Sequence, residues 1–289
     1  MISPAITLFL EERLSQVVGR TTRIASARPV PGGSINGTFL LHTDTDELFF
    51  LKVNDAELYP ALFGKERLGL ISLPVRTPNV LLEEISGPYQ LLVMEWIPSG
   101  SKTERFWENF GKTLAGMHQT TAPGFGLAYD NYMGSLPQSN GWRETWVDFF
   151  REQRLERQAK LATDAGLLPK RWLKNLEGLY QKLPSIFPEE KPCLVHGDLW
   201  SGNFICDQQQ MPVLIDPAIY YGHRSVDLAM TTLFGRFHPR FYEAYHAHFT
   251  LPENYEAQWE IANLYPLLIH LNLFGSSYLE SVTETLKKF

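Results

Sequence analysis

The chain has 289 residues, 44% of them hydrophobic, 13% aromatic and 20% charged, which supplies a substantial core and excludes a disordered chain. A formal net charge of -6 with scattered basic residues leaves no positive stripe for a nucleic-acid backbone. No run of about 18 apolar residues is available to span a bilayer, acids interrupt the opening MISPAITLFLEERLSQVVG where a secretory signal would be uncharged, and Cys193 and Cys206 lie outside any metal-ligand spacing. These features predict a cytoplasmic monomer that binds neither nucleic acid nor membrane and whose partners are small or locally recognised.

The opening segment reads as an amphipathic helix. After it, TRIASARPV, TFLLHT and ELFFLKV are rich in Thr, Val, Ile and Phe and are separated by PGGSING and DTDE, the punctuation of antiparallel hairpins. Leu62, Glu66, Leu70 and Leu73 have helical spacing within YPALFGKERLGLISL, with Pro60 suited to the helix start. NVLLEEIS and YQLLVMEWI add two strands around the turn Gly87-Pro88, for a sheet of five. At PSGSKT the composition shifts, and a hinge at Pro98 to Ser101 divides residues 1–97 from residues 98–289. Helical patterns then dominate, beginning with Phe106, Phe110, Leu114 and Met117. They are interrupted by PCLVHGDLWSGNFICDQQQMPVLIDP, which alternates like two short strands joined through a loop.

A small antiparallel sheet, a hinge and a helical second part with an embedded strand pair make an α+β chain with the arrangement of the two-lobed protein-kinase-like fold. Kinase catalytic loops read His-x-Asp with an Asn five residues after the Asp; here these are His196, Asp198 and Asn203. Such a loop turns the Asp carboxylate toward an incoming hydroxyl as general base, while Asn203 and Asp216, the latter in VLIDP, offer oxygen ligands to a Mg2+ ion on the phosphates of ATP. Taken singly, an Asp-x-x-x-x-Asn is most often a turn and a buried His most often a satisfied core group. Three groups in order, at this spacing and in this part of the chain, favour chemistry, with His196 bracing the loop.

Lys52 interrupts the apolar strand FFLKV, a costly place for an ammonium without a partner. Nucleotide phosphates and Glu66 are the expected partners, with Glu57 within reach of the same reasoning. One hairpin earlier, PGGSINGTF fits a glycine loop over phosphates, with Gly32, Gly33 and Gly37 and with Ser34 at the middle glycine position. At the end of the sheet, backbone groups of Glu95 and Ile97 are candidates to pair with adenine, although core packing and chain reversal explain the same residues almost as well.

HGDLWSGN, DPAIYYGHRSVDLAM and the block at residues 125–158, with its Asn-Tyr-x-Gly, Pro-Gln-x-Asn and Arg-Leu-x-x-Gln elements, resemble the fructosamine kinases, or ketosamine 3-kinases, within the aminoglycoside-phosphotransferase-like kinases. The resemblance implies ATP-dependent phosphorylation of the 3-hydroxyl of a ketosamine, the adduct of a reducing sugar with an amine or a protein lysine, and so deglycation. It implies that Asp198 is the base, that Asn203 and Asp216 bind Mg2+, and that Lys52 with Glu66 anchors phosphate. Some members carry a cysteine in the nucleotide loop that permits disulfide control; Ser34 and its neighbours offer none. Sugar contacts are expected from Asn140, Trp142, Trp146, Arg154 and Gln158, although Trp146 and Arg154 also follow helical core spacing. Asp227 is expected to brace the catalytic loop, and His223 stands where other members often have an acid. The competing readings are a kinase for another hydroxylated amine, such as an aminoglycoside, choline or methylthioribose, and a catalytically silent binding module.

Overall fold

The computed structural model describes residues 2–31 and 35–289. Gly32, Gly33 and Ser34, expected in the nucleotide loop, lie outside the described residues.

The first helix, α1 (Pro4–Val18), starts where the Ser3 hydroxyl accepts the Ile6 N–H and ends at Gly19, whose φ of 78° terminates it in the left-handed region. Five strands follow: β1 (Ile24–Pro29), β2 (Gly37–Thr43), β3 (Leu48–Asp55), β4 (Val80–Ser86) and β5 (Tyr89–Glu95), with helix α2 (Leu62–Ser72) between β3 and β4. They form one antiparallel sheet in the order β1-β2-β3-β5-β4. Strand alternation divides the apolar residues between its faces. Phe49, Leu51, Leu91 and Val93 meet Ile6, Leu10 and Leu14 of α1, whereas Leu92 and Met94 meet Leu62, Phe63 and Leu70 of α2. Lys52 falls between Leu51 and Val53 and pairs in register with Leu92, so the same alternation turns it toward α2.

Helix α2 begins two residues after Pro60, because Ala61 takes a left-handed φ of 56°. Gln90 on β5 fixes that start. Its side-chain carbonyl accepts the Phe63 N–H at 3.2 Å, and its amide donates to the carbonyls of Asp55 and Tyr59 at 3.0 and 2.7 Å. One buried glutamine therefore sets where Glu66 stands over the sheet.

The second part holds helix α3 (Glu104–Met117), the hairpin β6 (Asn131–Met133) and β7 (Leu136–Gln138), a short α4 (Trp146–Phe149) that continues through a π-helical turn into α5 (Glu156–Asp164), and α6 (Leu173–Ile186). It then runs through β8 (Cys193–Val195), β9 (Phe204–Cys206), β10 (Pro212–Leu214) and β11 (Tyr220–Gly222) to helices α7 (Ser225–Leu233), α8 (Pro239–His248), α9 (Tyr255–Ala262), α10 (Leu264–Phe274) and α11 (Leu279–Leu286). Phe106, Phe110, Leu114 and Met117 form the buried face of α3. Its Gly111 lies against the backbone of Phe241 on α8, where a methyl group would collide with the carbonyl.

The expected pair of strands around HGDLWSGN is corrected to three strands in two separate sheets. Strand β9 pairs with β10, but β8 pairs with β11, which lies beyond Asp216. Asp216 itself has a φ of 55°, and this turn returns the chain to β8. Among the described residues no helix is long and apolar enough to cross a membrane.

His223 follows β11 and is buried between the rings of Trp146 and Phe187. Its Nδ1 accepts from the Ser225 hydroxyl at 2.8 Å, and its Nε2 stands 3.5 Å from a Glu190 carboxylate oxygen. Burial pushes its pKa down to about 4 from an ordinary 6.5, so the folded protein holds it neutral. A depressed histidine contributes stability above the unfolded value that is lost as pH falls toward the folded one. Between pH 7 and pH 5 this residue should cost the fold roughly 2 kcal/mol. Urea denaturation at the two pH values should show a loss smaller by about that amount in His223→Gln; equal losses would refute the assignment.

Candidate active site

Lys52 is 3% exposed, yet it carries two carboxylate partners. Its Nζ donates to Glu66 Oε1 at 2.7 Å and to Asp216 Oδ1. Burial opposes the ammonium charge, but Asp216 and Glu66 outweigh it and hold the lysine well above its ordinary range. Burial raises Glu66 to about 7 while Lys52 pulls it down. Glu57, the other acid within reach in the sequence, is exposed and makes no ion pair among the described residues. Three elements thus converge on one ammonium: β3, α2 and the turn after β10.

Across from it lies the loop between β8 and β9. Asp227, fully buried at the start of α7, accepts the backbone N–H groups of His196 and Gly197 at 2.7 and 2.9 Å and the Nε2–H of His118 at 3.0 Å. The Tyr245 hydroxyl, 2.8 Å from His118 Nδ1, fixes that imidazole in turn. His196 donates from Nε2 to the Ile215 carbonyl at 2.9 Å and accepts the Asp198 N–H at Nδ1, so it ties the loop to the residue before Asp216. Gly197 has a φ of 83°, and a side chain there would strike the Ala218 carbonyl. Asn203 closes the loop by donating to the backbone and carboxylate oxygens of Asp198, both at 2.8 Å. Burial raises the Asp198 carboxyl to about 7 against the opposing pull of Asn203.

Two cavities meet at Lys52, Asn203 and Asp216. One is an apolar slot walled by Val30, Phe50, Met94, Ile97 and Ile215, with Glu95 and Trp96 at its edge. The Glu95 carboxylate is engaged by Arg76 at 2.7 Å and by the Asn79 N–H at 3.1 Å, which leaves backbone as what this segment offers a ligand. Gly37 opens β2, one residue before the register partner of Lys52. The other cavity is more polar and is lined by Asp198, Trp200, Asn131, Tyr132 and Lys65. A flat heterocycle suits the first, a hydroxylated molecule the second, and a phosphate chain the junction. Asn203 spends its amide nitrogen on Asp198, which leaves its side-chain carbonyl oxygen without a hydrogen bond among the described residues, and it lines both cavities together with Asp216. Such hard oxygen donors fit Mg2+, which takes one or two protein ligands and completes its shell with phosphate and water.

The residues expected to touch sugar are placed elsewhere. Arg154 is fully buried and stacks on Tyr220 and Phe149, with its guanidinium 4.1 and 4.5 Å from the ring centres. It donates to the Ser139 carbonyl and, at 2.7 Å, to the side-chain oxygen of Asn140. Asn140 and Gln138 both donate to the side-chain oxygen of Asn131, at 2.9 and 2.8 Å, and Gln138 also reaches the Ala218 carbonyl at 3.1 Å. Trp146 packs in the core, and Gln158 is bound to Asn272. Trp142 is 45% exposed and lies against Tyr221. Arg154 and Asn140 therefore belong to a buried network that fixes the β6–β7 hairpin to the segment after Asp216. The hairpin presents Tyr132 to the polar cavity. Tyr132, Trp200 and Lys65 were not singled out from the sequence; their signals were the Asn-Tyr-x-Gly turn, where Gly134 has a φ of 59°, and the Trp two residues after Asp198.

The chain as a whole is similar to known proteins. A family model described as fructosamine kinase matches residues 8–289. A Synechocystis protein named as a probable ketoamine kinase is 37% identical over 99% of this chain and 97% of its own length. A chloroplastic protein-ribulosamine 3-kinase of Arabidopsis thaliana is also 37% identical, over 94% of this chain and 84% of its own. Among solved structures, a Thermobifida fusca protein described as a fructosamine-3-kinase superposes with a TM-score of 0.86 at 32% identity, covering 96% of this chain and 97% of that one. Aminoglycoside phosphotransferase APH(4)-Ia, at 15% identity and a TM-score of 0.58, shares the two-lobed α+β kinase-like fold.

Removing the carboxylate of Asp227 strands three buried donors. Asp227→Ala should lower the unfolding free energy by about 3 kcal/mol. Unfolding monitored by tryptophan fluorescence checks this, and a change below about 1 kcal/mol would deny the residue its bracing role.

Proposed function

Because the chain belongs to the fructosamine kinase family, we propose that it transfers the terminal phosphoryl group of ATP to the 3-hydroxyl of a ketosamine. The observation that carries this reading is the meeting of an apolar slot and a polar cavity at Lys52, Asn203 and Asp216, with Asp198 facing the polar side. Residues 1–97 act as the nucleotide-binding lobe and residues 98–289 supply the base and the acceptor site. The Gly100 N–H donates to the Cys206 carbonyl at 2.7 Å, which ties the hinge to the second lobe.

In this mechanism the adenine enters the slot against backbone of Glu95 and Ile97, and the phosphates reach Lys52. Glu66 and Asp216 keep the ammonium charged in a buried place. Asp198 accepts the proton of the 3-hydroxyl as its oxygen bonds to the terminal phosphorus and the bond to the ADP oxygen breaks. Asn203 holds one carboxylate oxygen of Asp198, which aims the other at the acceptor. A Mg2+ ion held by Asn203 and Asp216 would neutralise charge on the transferring group. The product is a ketosamine 3-phosphate, which sheds its sugar and returns the amine, as deglycation requires. The acceptor is a free ketosamine or a glycated protein lysine, and the enzyme works as a monomer in the cytoplasm. The two buried, unpaired thiols of Cys193 and Cys206 accord with a reducing compartment.

The test is phosphorylation, followed by mass spectrometry, of ribulosyl-lysine, erythrulosyl-lysine, fructosyl-lysine and kanamycin. Wild type should add one phosphate to at least one ketosamine, and Asp198→Asn should lose about 10²–10⁴-fold in turnover while still binding ATP. Phosphate on kanamycin alone, or an undiminished mutant, would overturn the proposal.

A further inference from the structure

The polar cavity contains an ammonium that the mechanism does not use. Lys65 stands one residue before Glu66 on α2, and a step of about 100° around the helix separates their side chains. Glu66 turns to Lys52, while Lys65 lines the acceptor cavity and holds its Nζ 4.7 Å from the centre of the Tyr132 ring. Tyr132 cannot swing away freely, because its hydroxyl donates to the Pro60 carbonyl at 3.1 Å. Most charged groups of this cavity are committed: Lys52 with Glu66 and Asp216, and Asp198 with Asn203. Lys65 has no carboxylate within 4.0 Å among the described residues. An ammonium resting on an aromatic face at the wall of a binding cavity retains donors for an anionic oxygen.

We infer that Lys65, presented by Tyr132, binds a carboxylate on the phosphoryl acceptor, so that the preferred ketosamines are those of free amino acids rather than adducts without a nearby anion. This inference rests on the acceptor being a ketosamine. It assigns the acid to the substrate and the cation to the enzyme, opposite to what a polycationic acceptor would need. Lys65 is a specificity residue in this scheme, and the chemistry at Asp198 proceeds without it.

Ribulosyl-glycine and ribulosyl-glycinamide differ only in carboxylate against carboxamide and provide the probe. Wild type should favour the carboxylate about tenfold in kcat/KM, through KM. Lys65→Met should bring the two acceptors level without changing KM for ATP, Lys65→Arg should retain the preference, and added salt should shrink it in wild type. A wild type without preference, or a preference that survives in Lys65→Met, would overturn the inference while leaving ketosamine kinase activity in place. An equal loss on both acceptors with a raised KM for ATP would overturn it too, by assigning Lys65 to the phosphates. No phosphorylation of either compound or of any other ketosamine would instead bring down the proposed function beneath it.

Discussion

The structure turns on one buried ammonium. Lys52 sits in an apolar strand, and a charge there is tolerable only with partners supplied from elsewhere in the chain. Glu66 reaches it from α2, whose start is fixed by Gln90, and Asp216 reaches it from a left-handed turn in the other lobe. The pairing therefore joins the sheet, the helix above it and the turn at Asp216 into a single arrangement. The lysine is thereby held charged and fixed in place before any ligand arrives.

The second lobe applies the same logic to a carboxylate. Asp198 is held at the end of a loop whose backbone is pinned by Asp227, whose imidazole is tied to Ile215 and whose Asn203 closes on it. None of these bonds depends on a ligand. Such positioning before substrate arrives lets a kinase active site work mainly by orientation and electrostatics. Behind the acceptor cavity, the buried guanidinium of Arg154 performs a related task through neutral oxygens and aromatic faces, keeping Tyr132 in place by way of Asn140 and Asn131.

Much of this was legible in the sequence because charge in an apolar setting is informative. Lys52 in FFLKV demanded a partner, and Asp198, Asn203 and Asp216 stood at spacings that a turn alone does not require; the structure brings these residues together. The five strands and the helix between them followed from alternation and turn residues. What was not legible has physical reasons. Strands of three residues, as in β8 to β11, carry too few alternations to reveal their partners, so the pairing of β8 with β11 across Asp216 could not be read. Trp146 and Arg154 occupy spacings shared by core and by cavity, and nothing in sequence tells a guanidinium satisfied by Asn140 and two aromatic rings from one facing a sugar. His223 stood out only as a residue where other members often have an acid; its charge state could not be read, because a histidine held neutral by burial looks in sequence like one that is charged.

The position of the transferred phosphate decides whether Asp198 serves the 3-hydroxyl of a ketosamine. Phosphorus and carbon NMR of the product formed from ATP and a carbon-labelled ribulosyl-amino acid reads the esterified position directly. Coupling of phosphorus to C3, followed by appearance of the free amino acid, is the predicted result. A phosphorus–proton correlation to a position other than H3, which places the ester on another oxygen, or a stable phosphoester that never releases its amine, would contradict it.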